Sequence, residues 1–401
     1  MTEQDISATL QQQVLDAFQN EIPLRICGGG SKTFLSCDNL LNPFGLSLSK
    51  PALSTTSPST RPLVLSEIEG SGRTDSQTPL KKPIKNLDVS QHRGIVEYDP
   101  RELVLTARSG TPLQEIEAAL AEAGQMLAFE PPHFGPIGTL DATLGGTIAC
   151  GLSGPRRPYI GSARDFVLGC KLLNGRGEIL RFGGQVMKNV AGYDVSRLMV
   201  GAYGTLGILL EISLKVLPRP KASLTVAYEC SPIEAISSMS ALLSKALPVD
   251  AACYHGDHCY MRISGSAQAV REARTKIPGE VVADAEKFWH ALREHQLAFF
   301  HHRSTLYRIM VKPATPPLNI DGAWLLDWGG AQRWLYSDEK VESIRHRVTA
   351  VGGHVTVFRG GISNEEIFPP ISAPLMAIHQ RLKSSFDPKN IFNRGRLYAN
   401  L

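Results

Sequence analysis

The middle of the chain reads Gly138-Thr-Leu-Asp-Ala-Thr-Leu-Gly-Gly-Thr-Ile-Ala-Cys-Gly-Leu-Ser-Gly-Pro-Arg-Arg-Pro-Tyr-Ile-Gly161. Such a segment is a poor helix and a poor strand, because glycine loses the most backbone entropy when it is ordered. Without Cβ atoms, successive backbone N–H groups can turn onto an anion, and Arg156, Arg157 and Arg164 add positive charge nearby. The stretch therefore predicts a cradle for a pyrophosphate. The alternative is a glycine-rich turn region that only packs tightly.

A second glycine turn lies near the N-terminus. Pro23-Leu-Arg-Ile-Cys27 predicts a short strand that runs into Gly28-Gly-Gly-Ser-Lys32. It is not a P-loop, because the order Gly-Lys-Ser/Thr is absent, and it is not a dinucleotide fingerprint, because no glycine stands at position 33. The order of strand, glycines, hydroxyl and lysine nevertheless predicts an anion-binding turn. Paired with the later glycine stretch, it supports the same interpretation.

Composition narrows the class of protein. The chain of 401 residues is long enough for two or three domains, and its net charge of +4, with no basic run interleaved with aromatics, argues against nucleic acid. Seven cysteines are dispersed without a Cys-x-x-Cys pair, so the sequence predicts neither an iron–sulfur nor a zinc site, and no metal ligands are assigned. The N-terminus lacks the features of a signal peptide, and the longest apolar stretch, residues 198–210, is too short to span a bilayer. These features predict a cytoplasmic protein.

Periodicity places the regular elements. Apolar side chains at helical spacing predict a helix over residues 6–19. A second helix is expected to have Thr111 as its N-cap and Pro112 at its first helical position. Asn174-Gly175 predicts the turn of a hairpin.

The second half changes character. Strands and helices alternate over residues 222–375, which predicts one α+β domain with Trp324, Trp328 and Trp334 in its core. A tail helix is predicted over residues 375–386.

Residues 43–85 differ in kind from the rest of the chain. Serine, threonine, proline and lysine dominate there, and no period is sustained. Such a composition cannot bury enough apolar surface to offset the entropy of ordering. The segment is predicted to be a disordered surface insertion; a functional binding tail is the alternative.

Four motifs beyond the glycine turns carry a family resemblance. They are Arg164-Asp-Phe-Val-Leu-Gly169, Lys188-Asn-Val-Ala-Gly-Tyr-Asp194, Leu198-Met-Val-Gly-Ala-Tyr-Gly-Thr-Leu-Gly207 and a tail from Phe386 to Arg396. Together they resemble the FAD-binding domain of the vanillyl-alcohol oxidase / para-cresol methylhydroxylase (PCMH) superfamily. The stretches Cys150-Gly-Leu-Ser-Gly-Pro-Arg-Arg-Pro158 and Asp327-Trp-Gly-Gly330 are further similar to the FAD-binding subunits of bacterial glycolate oxidases. This likeness covers nearly the whole chain outside the insertion.

The resemblance implies a fold and a division into domains. The expected class is α+β, with a two-lobed PCMH-type FAD-binding domain and a smaller α+β cap domain. The FAD-binding domain would span residues 1–220, including the insertion, and the cap residues 221–375. The tail, residues 376–401, would return to the FAD-binding domain.

The resemblance also implies cofactor-binding residues, position by position. The first turn would supply Gly28, Gly29, Gly30, Ser31 and Lys32; the second Gly145, Gly146, Gly151, Ser153, Gly154, Arg156 and Gly161. Lys188 and Tyr193 would lie towards the flavin, and Thr205, Gly207 and Ile208 along the adenosine end. Two glycine turns from different lobes would thus clamp one diphosphate, with Lys32 and Arg156 offsetting its charge. The FAD is expected to be non-covalent, because no histidine or cysteine stands in a recognisable attachment context.

The function implied by the resemblance is that of an FAD-binding subunit in a glycolate oxidase (glycolate dehydrogenase) complex. Glycolate would be oxidised to glyoxylate, with electrons passed to an iron–sulfur subunit alongside a second flavin subunit. The chain would then be at most peripheral to the cytoplasmic face of the inner membrane, through its partners. Two alternatives stay open: a self-sufficient FAD-dependent dehydrogenase of another 2-hydroxy acid, and a non-catalytic FAD-binding assembly subunit.

Catalytic residues are not assigned by the sequence. Related dehydrogenases carry a His-x-Gly-Asp-Gly-Asn motif, whereas the nearest text here is Tyr254-His-Gly-Asp-His-Cys259, which is interpreted as a polar turn rather than a metal site. His133 could act as a base or only cap its loop. Arg359 could bind a carboxylate or form a structural ion pair. The remaining candidates are expected to be solvated histidines: His290, His295, His301 and His302.

Overall fold

The computed structural model describes residues 3–32, 82–135, 142–184, 193–243, 245–360 and 367–401. Helices and mainly antiparallel sheets make up these residues, which confirms the α+β class. No helix in this part of the chain is both long enough and apolar enough to cross a bilayer.

The first lobe is built from one helix and a parallel pair of strands. Its elements are α1 (Ser7–Asn20), β1 (Leu24–Cys27) and β2 (Lys85–Asp88). The apolar face of α1, at Leu10 and Val14, packs on Leu24 and Leu87 of the strands. This packing holds the end of β1 in place, where the first glycine turn begins.

The second lobe contains a five-stranded antiparallel sheet in the order β3-β4-β8-β6-β7. Its strands, with a short pair β5 and β9, are β3 (Ile95–Asp99), β4 (Val104–Arg108), β5 (Gln125–Met126), β6 (Val167–Leu173), β7 (Ile179–Gly183), β8 (Ile208–Lys215) and β9 (Leu217–Pro218). Its helices are α2 (Leu113–Glu122), α3 (Leu144–Cys150), α4 (Arg157–Ile160), α5 (Ala163–Phe166) and α6 (Val195–Leu198). The predicted hairpin is confirmed, because β6 and β7 pair across Asn174-Gly175.

Strand β8 joins the two lobes. Ile212 and Leu214 lie in the core of the second lobe, whereas Ile208 and Leu210 lie in the core of the first. One strand therefore contributes side chains to two hydrophobic cores. The loop before β8 is held at the boundary between the lobes.

The large-sheet region, residues 222–360, contains an eight-stranded antiparallel sheet in the order β13-β10-β12-β11-β15-β16-β14-β17. Its strands are β10 (Ala222–Glu229), β11 (Val249–His255), β12 (His258–Gly265), β13 (Glu280–Val281), β14 (Thr305–Met310), β15 (Ala323–Asp327), β16 (Gln332–Ser337) and β17 (His354–Arg359). Its helices are α7 (Pro232–Leu243), α8 (Ala267–Arg274), α9 (Ala285–Arg293) and α10 (Val341–Ala350). Trp328 and Trp334 are buried as predicted, and Trp324 is half-buried beside them.

The tail returns to the first lobe. Helix α11 (Ala373–Phe386) is followed by a stretch that exchanges backbone hydrogen bonds with β1, from Leu24 to Ile391 (2.7 Å) and from Asn393 to Leu24 (2.9 Å). The ammonium of Lys383 donates to the Asp387 carboxylate and to the carbonyl of Thr205, both at 2.6 Å. The tail is thereby fixed to both lobes.

Two details of the sequence prediction were wrong. Lys85, placed in the insertion, begins β2, because its backbone pairs with Leu24; residues 43–81 lie outside the described part of the chain. Helix α2 begins at Leu113 and has Pro112 as its N-cap. The Thr111 hydroxyl is not a cap, since it exchanges hydrogen bonds with the backbone of Gly94 instead.

Candidate functional site

A cavity of about 250 Å³ lies between the two lobes; it is called here the large cavity only to distinguish it from the smaller cavity lined by Ser153 and Gly154. Its walls come from β1 and the turn after it, the start of α3, the loop before β8, and the tail. The predicted cofactor residues that line it are Gly28, Gly29, Gly30, Ser31, Lys32, Gly145, Gly146, Gly207 and Ile208. Two glycine turns that stand more than a hundred residues apart in sequence thus face one space.

The two turns touch where glycine is required. A Cβ added at Gly28 would lie 2.9 Å from Thr143 Oγ1, and one at Gly145 would lie 2.6 Å from Ser109 Cβ. Real Cβ atoms do not approach so closely, so only glycine lets the walls come together. Thr143 itself caps α3 by accepting a hydrogen bond from the N–H of Gly146.

Lys32 brings a buried positive charge to the large cavity. The side chain is only 6% exposed, and its ammonium lies 3.3 Å from the hydroxyl of Ser31. No carboxylate in the described part of the chain forms an ion pair with it. Burial lowers its pKa, and this effect is opposed by Cys150 and Glu294. A buried ammonium without an ion-pair partner indicates an anionic ligand.

A second cation in the same cavity indicates the same ligand chemistry. Arg396 lines the large cavity, and its buried Nε has no hydrogen-bond partner among the described residues. Two cations, glycine-rich backbone and threonine and serine hydroxyls fit the pyrophosphate of FAD. When bound, FAD supplies a two-electron acceptor.

Asn393 connects opposite walls of the large cavity through two hydrogen bonds. Its Oδ1 accepts a hydrogen bond from the N–H of Ile26 (2.9 Å), and its Nδ2 donates to the carbonyl of Tyr203 (2.7 Å). Ile26 precedes the first glycine turn, and Tyr203 precedes the loop through Gly207. One side chain of the tail therefore sets the spacing between the two walls.

Other predicted cofactor residues lie away from the large cavity. Gly151 and Gly161 end α3 and α4 at positive φ. The hydroxyl of Thr205 donates to the carbonyl of Ala202, and Tyr193 is 95% exposed. Lys188 lies outside the described residues. Contacts of these residues with FAD stay predictions.

Ser153 and Gly154 line a second, smaller cavity. The Ser153 hydroxyl accepts a hydrogen bond from the N–H of Ala163 at 3.0 Å. A Cβ at Gly154 would lie 2.3 Å from the carbonyl oxygen of Glu130, so glycine is needed here for close backbone packing. These contacts pack the glycine stretch within the second lobe, and residues of the large-sheet region line the other side of this smaller cavity.

Arg156 belongs to a network of four charged groups. It lies 2.6 Å from Asp250 and 3.3 Å from Glu130, and Arg262 lies within 2.8 Å of the same two acids. Glu130 and Arg156 come from the second lobe, whereas Asp250 and Arg262 come from β11 and β12. The structure therefore places Arg156 at the boundary with the large-sheet region, away from the lining of the large cavity.

The two catalytic candidates of the sequence occupy different places. The His133 ring lies 3.2 Å from Glu117, and its backbone N–H donates to Glu294. The Arg359 guanidinium stacks 5.3 Å from the centre of the Phe134 ring. Neither residue lines the large cavity.

The structure changes the interpretation of several histidines. His295 was expected to be solvated but is only 8% exposed, because aromatic side chains of the large-sheet region enclose it. His290, His301 and His302 are exposed as predicted. Residues 255–258 form the tight turn between β11 and β12, and Asp257 and His258 bond within that turn.

Sequence reasoning assigned no cofactor role to several residues of the large cavity: Ser109, Tyr203, Asn393 and Arg396. Most are single polar residues distant in sequence from the glycine turns. Asn393 and Arg396 lie in the tail motif, which was recognised as a family feature without a role. The available signal was the place of these two polar residues in that motif, just after the apolar pair Ile391-Phe392.

Comparisons with known proteins agree with this geometry. A family model described as an FAD binding domain matches residues 70–183. The chain is 46% identical to glycolate oxidase subunit GlcE of Escherichia coli strain K12 over 401 residues, covering all of both chains. It is 35% identical to glycolate oxidase subunit GlcD of Bacillus subtilis strain 168 over 156 residues, covering 38% of this chain and 32% of that one. A solved alkyldihydroxyacetonephosphate synthase aligns with TM-score 0.59 at 15% identity over 95% of this chain and 73% of its own, which shows a shared fold alone.

The fold, the large cavity and these matches define an FAD-dependent oxidoreductase of the PCMH type. The resemblance noted in the sequence is thereby confirmed. Because the match extends over the whole of both chains, this chain belongs to the family of glycolate oxidase subunit GlcE.

Proposed function

We propose that this chain is the FAD-binding subunit of a glycolate-oxidising complex, in which glycolate becomes glyoxylate. The observation that carries the proposal is the meeting of two glycine turns around one cavity that is also lined by the buried Lys32 and the half-buried Arg396. The name of the full-length relative, a glycolate oxidase subunit, supports the choice of substrate. The large-sheet region is proposed to act as the cap over the FAD domain, with the boundaries at residues 220 and 375.

The residues of the large cavity would have different roles in binding FAD. Backbone N–H groups of Gly28–Gly30 would face the diphosphate, Gly145 and Gly146 would let the start of α3 approach it closely, and Lys32 and Arg396 would offset its charge. Asn393 would keep the two walls at a fixed separation. Such preorganisation lowers the entropy lost on binding.

Electrons are proposed to leave through partner subunits. The sequence holds seven single cysteines and no Cys-x-x-Cys pair, so it offers no recognisable cluster-binding motif of its own. We propose an iron–sulfur subunit as the acceptor and a second flavin subunit beside it. Any contact with the membrane would be peripheral and made through these partners.

The attachment of the cofactor gives a first prediction. We expect the FAD to be non-covalent, so that acid precipitation of the purified protein releases all of the yellow colour into the supernatant. Absorbance of supernatant and pellet measures this directly. Colour retained on the washed pellet would show a covalent bond.

Purification of the chain alone and in its complex tests the proposed function against its alternatives. The proposal predicts FAD bound to this chain and glycolate-dependent loss of flavin absorbance in the complex. Turnover by the isolated chain at the rate of the complex, with an artificial acceptor, would identify a self-sufficient dehydrogenase. Bound FAD that no 2-hydroxy acid reduces would identify an assembly subunit.

A further inference from the structure

Helix α11 (Ala373–Phe386) is covered by the rest of the protein on one side only. Leu382 and Phe386 pack against the core of the second lobe. Among its 14 residues, all of which the structure describes, Lys383 alone is buried. A surface helix of this length usually buries a continuous apolar stripe. Most of the surface of α11 is therefore left uncovered.

Two large apolar side chains lie on this exposed surface. Leu375 is 41% exposed and Ile378 is 52% exposed. They are three positions apart, so they are neighbours on the surface of the helix. Pro374 and Ala377, which adjoin them in sequence, are exposed as well. A single exposed apolar residue is ordinary, but a group of them with polar residues around it marks an interaction surface.

The excess positive charge of the chain lies entirely in its last 31 residues. Residues 371–401 contain five lysines and arginines and one acid, which gives a net charge of +4. The preceding 370 residues contain 37 cations and 37 acids, so their net charge is zero. A protein whose charge is concentrated in one segment attracts partners of the opposite sign to that segment.

The five cations of this segment differ in what they face. Lys383 and Lys389 pair with acids, and Arg396 lines the large cavity. Arg381 and Arg394 are exposed, and neither forms an ion pair with a described residue. Arg381 follows Ile378 by three positions, so a cation adjoins the apolar group on the same helix. Exposed arginines beside exposed apolar side chains favour a partner with an acidic face.

The same segment forms part of the wall of the large cavity. Asn393 and Arg396 line that cavity, and Lys383 donates to the carbonyl of Thr205 in the loop before β8. A protein docked on the uncovered surface of α11 would therefore lie close to the proposed FAD. Because electrons transfer faster over shorter distances, this is a favourable place for an electron acceptor.

We propose that Leu375, Ile378, Arg381 and Arg394 form the docking surface for an acidic face of the electron-accepting iron–sulfur subunit. This inference rests on the proposed function. The two apolar side chains would supply affinity at the centre of the contact, and the two arginines would steer and orient the partner. The occupant is a protein rather than a membrane, because helices that lie on membranes carry a longer apolar face and larger clusters of cations.

The test is a titration of the FAD-loaded chain into the partner subunits, the iron–sulfur subunit with the second flavin subunit, at low and at high salt. The variants are Ile378→Asp and the double variant Arg381→Glu/Arg394→Glu. Matched controls are Ile233→Asp, at a position of α7 that is 67% exposed, and Arg271→Glu, at an exposed position of α8. FAD content and thermal unfolding of the isolated chain show that each variant is folded.

We expect Ile378→Asp to raise the Kd for the partner subunits by about 10- to 100-fold, because a carboxylate then faces an acidic surface at the centre of the contact. The double variant should slow association by about 10-fold or more at low salt and by less at high salt, where the charges are screened. Both controls should bind within about twofold of the wild type.

Wild-type affinity in both variants would overturn the docking surface, and glycolate-dependent bleaching of the same complex would leave the proposed function intact. Equal weakening in the variants and their controls would also overturn the surface, since the effect would not be specific to α11 and the tail. Loss of binding to vesicles of anionic lipid, with subunit binding unchanged, would assign the surface to a membrane and overturn the proposal. A complex that depends on these residues but is not bleached by glycolate would refute the proposed function alone.

Discussion

Asn393 shows how much of the large cavity depends on single side chains. Its left-handed backbone (φ 41°) is one that asparagine tolerates better than most residues, and its amide bonds to both walls. Leucine has the same number of side-chain heavy atoms and the same branching at Cγ but offers neither donor nor acceptor. The N–H of Ile26 and the carbonyl of Tyr203 would then lose their partner.

We therefore expect Asn393→Leu to weaken FAD binding by about 1–3 kcal/mol, or roughly 5- to 150-fold, from the unsatisfied backbone groups. Titration of the apoprotein with FAD, followed by flavin fluorescence, measures the Kd. Asn400→Leu, the same change at an exposed position of the tail, serves as the control. An unchanged Kd in Asn393→Leu would show that the walls keep their spacing without this residue.

Asp327 predicts a pH dependence of stability. Its pKa is raised from the ordinary 3.8 to about 7 by burial, against the opposing effects of Trp328, Gln332 and Arg308. A group whose folded pKa is raised stabilises the fold below its unfolded pKa, and this contribution is lost as the pH rises towards 7. Between pH 5 and pH 8 the wild type should lose about 2–3 kcal/mol relative to Asp327→Asn.

Tryptophan fluorescence during urea unfolding can follow this difference, because all four tryptophans lie in the large-sheet region. The free energy of unfolding of wild type and Asp327→Asn is compared at pH 5, 6, 7 and 8. A difference that does not change with pH would mean that Asp327 is ionised throughout.

At the scale of elements, α11 and the residues after it bind to both lobes and hold them together. Lys383 is 5% exposed and donates to the Asp387 carboxylate and to the carbonyls of Thr205 and Phe392. Asp387 in turn accepts from the N–H groups of Ile391 and Phe392. The pair thus fixes the tail beside the loop that precedes β8.

Lys383→Met should destabilise the fold by about 3–5 kcal/mol, because it leaves the buried Asp387 carboxylate without its cation. The same substitution at the half-exposed Lys389, whose contact with Glu21 is at 3.5 Å, should change stability by less than about 1 kcal/mol. Thermal unfolding of the two variants gives the comparison. Equal melting temperatures would show that the buried pair contributes nothing beyond a surface one.

The glycine turns, the β6–β7 hairpin and the tail helix could be predicted from the sequence, because local backbone demands and periodicity specify them. The pairing of Gly28 with Thr143 could not, since it depends on two lobes meeting across more than a hundred residues. His295 was misjudged for the same reason: Phe300 is local, but Trp334, Phe358 and Arg308 come from three other strands. The order of charged residues along the sequence likewise could not show that Arg156 forms an ion pair with Asp250.

At the scale of the whole molecule, the boundary between the second lobe and the large-sheet region is held by the network of Glu130, Arg156, Asp250 and Arg262. Both acids are shared by both arginines, so removal of one cation leaves two carboxylates with a single partner. The smaller cavity lined by Ser153 and Gly154 lies at the same boundary. Disturbing the network should therefore weaken the packing of the second lobe against the large-sheet region and leave the large cavity unchanged.

Arg156→Met should lower stability by about 3–5 kcal/mol while the Kd for FAD stays within about twofold of the wild type. Arg164→Met, at an exposed position of α5 three residues after the glycine stretch, should leave both quantities unchanged. Thermal unfolding and FAD titration are read on the same samples. A large loss of FAD affinity at wild-type stability would restore the role in charge compensation that the sequence predicts for Arg156.

Anaerobic addition of glycolate to the assembled complex tests the central claim most directly, with the visible flavin spectrum as the readout. The complex containing Gly146→Asp in this chain is the reference, because a carboxylate at the wall of the large cavity should exclude FAD by charge and bulk. Gly256→Asp, in an exposed turn where a Cβ meets nothing within 4 Å and where aspartate tolerates the left-handed backbone (φ 56°) better than most residues, controls for the substitution itself. The account predicts that FAD bound to this chain is bleached by glycolate in the wild-type and Gly256→Asp complexes. The Gly146→Asp complex should lack that FAD and the bleaching that it contributes. Identical flavin content and bleaching in all three complexes would contradict it.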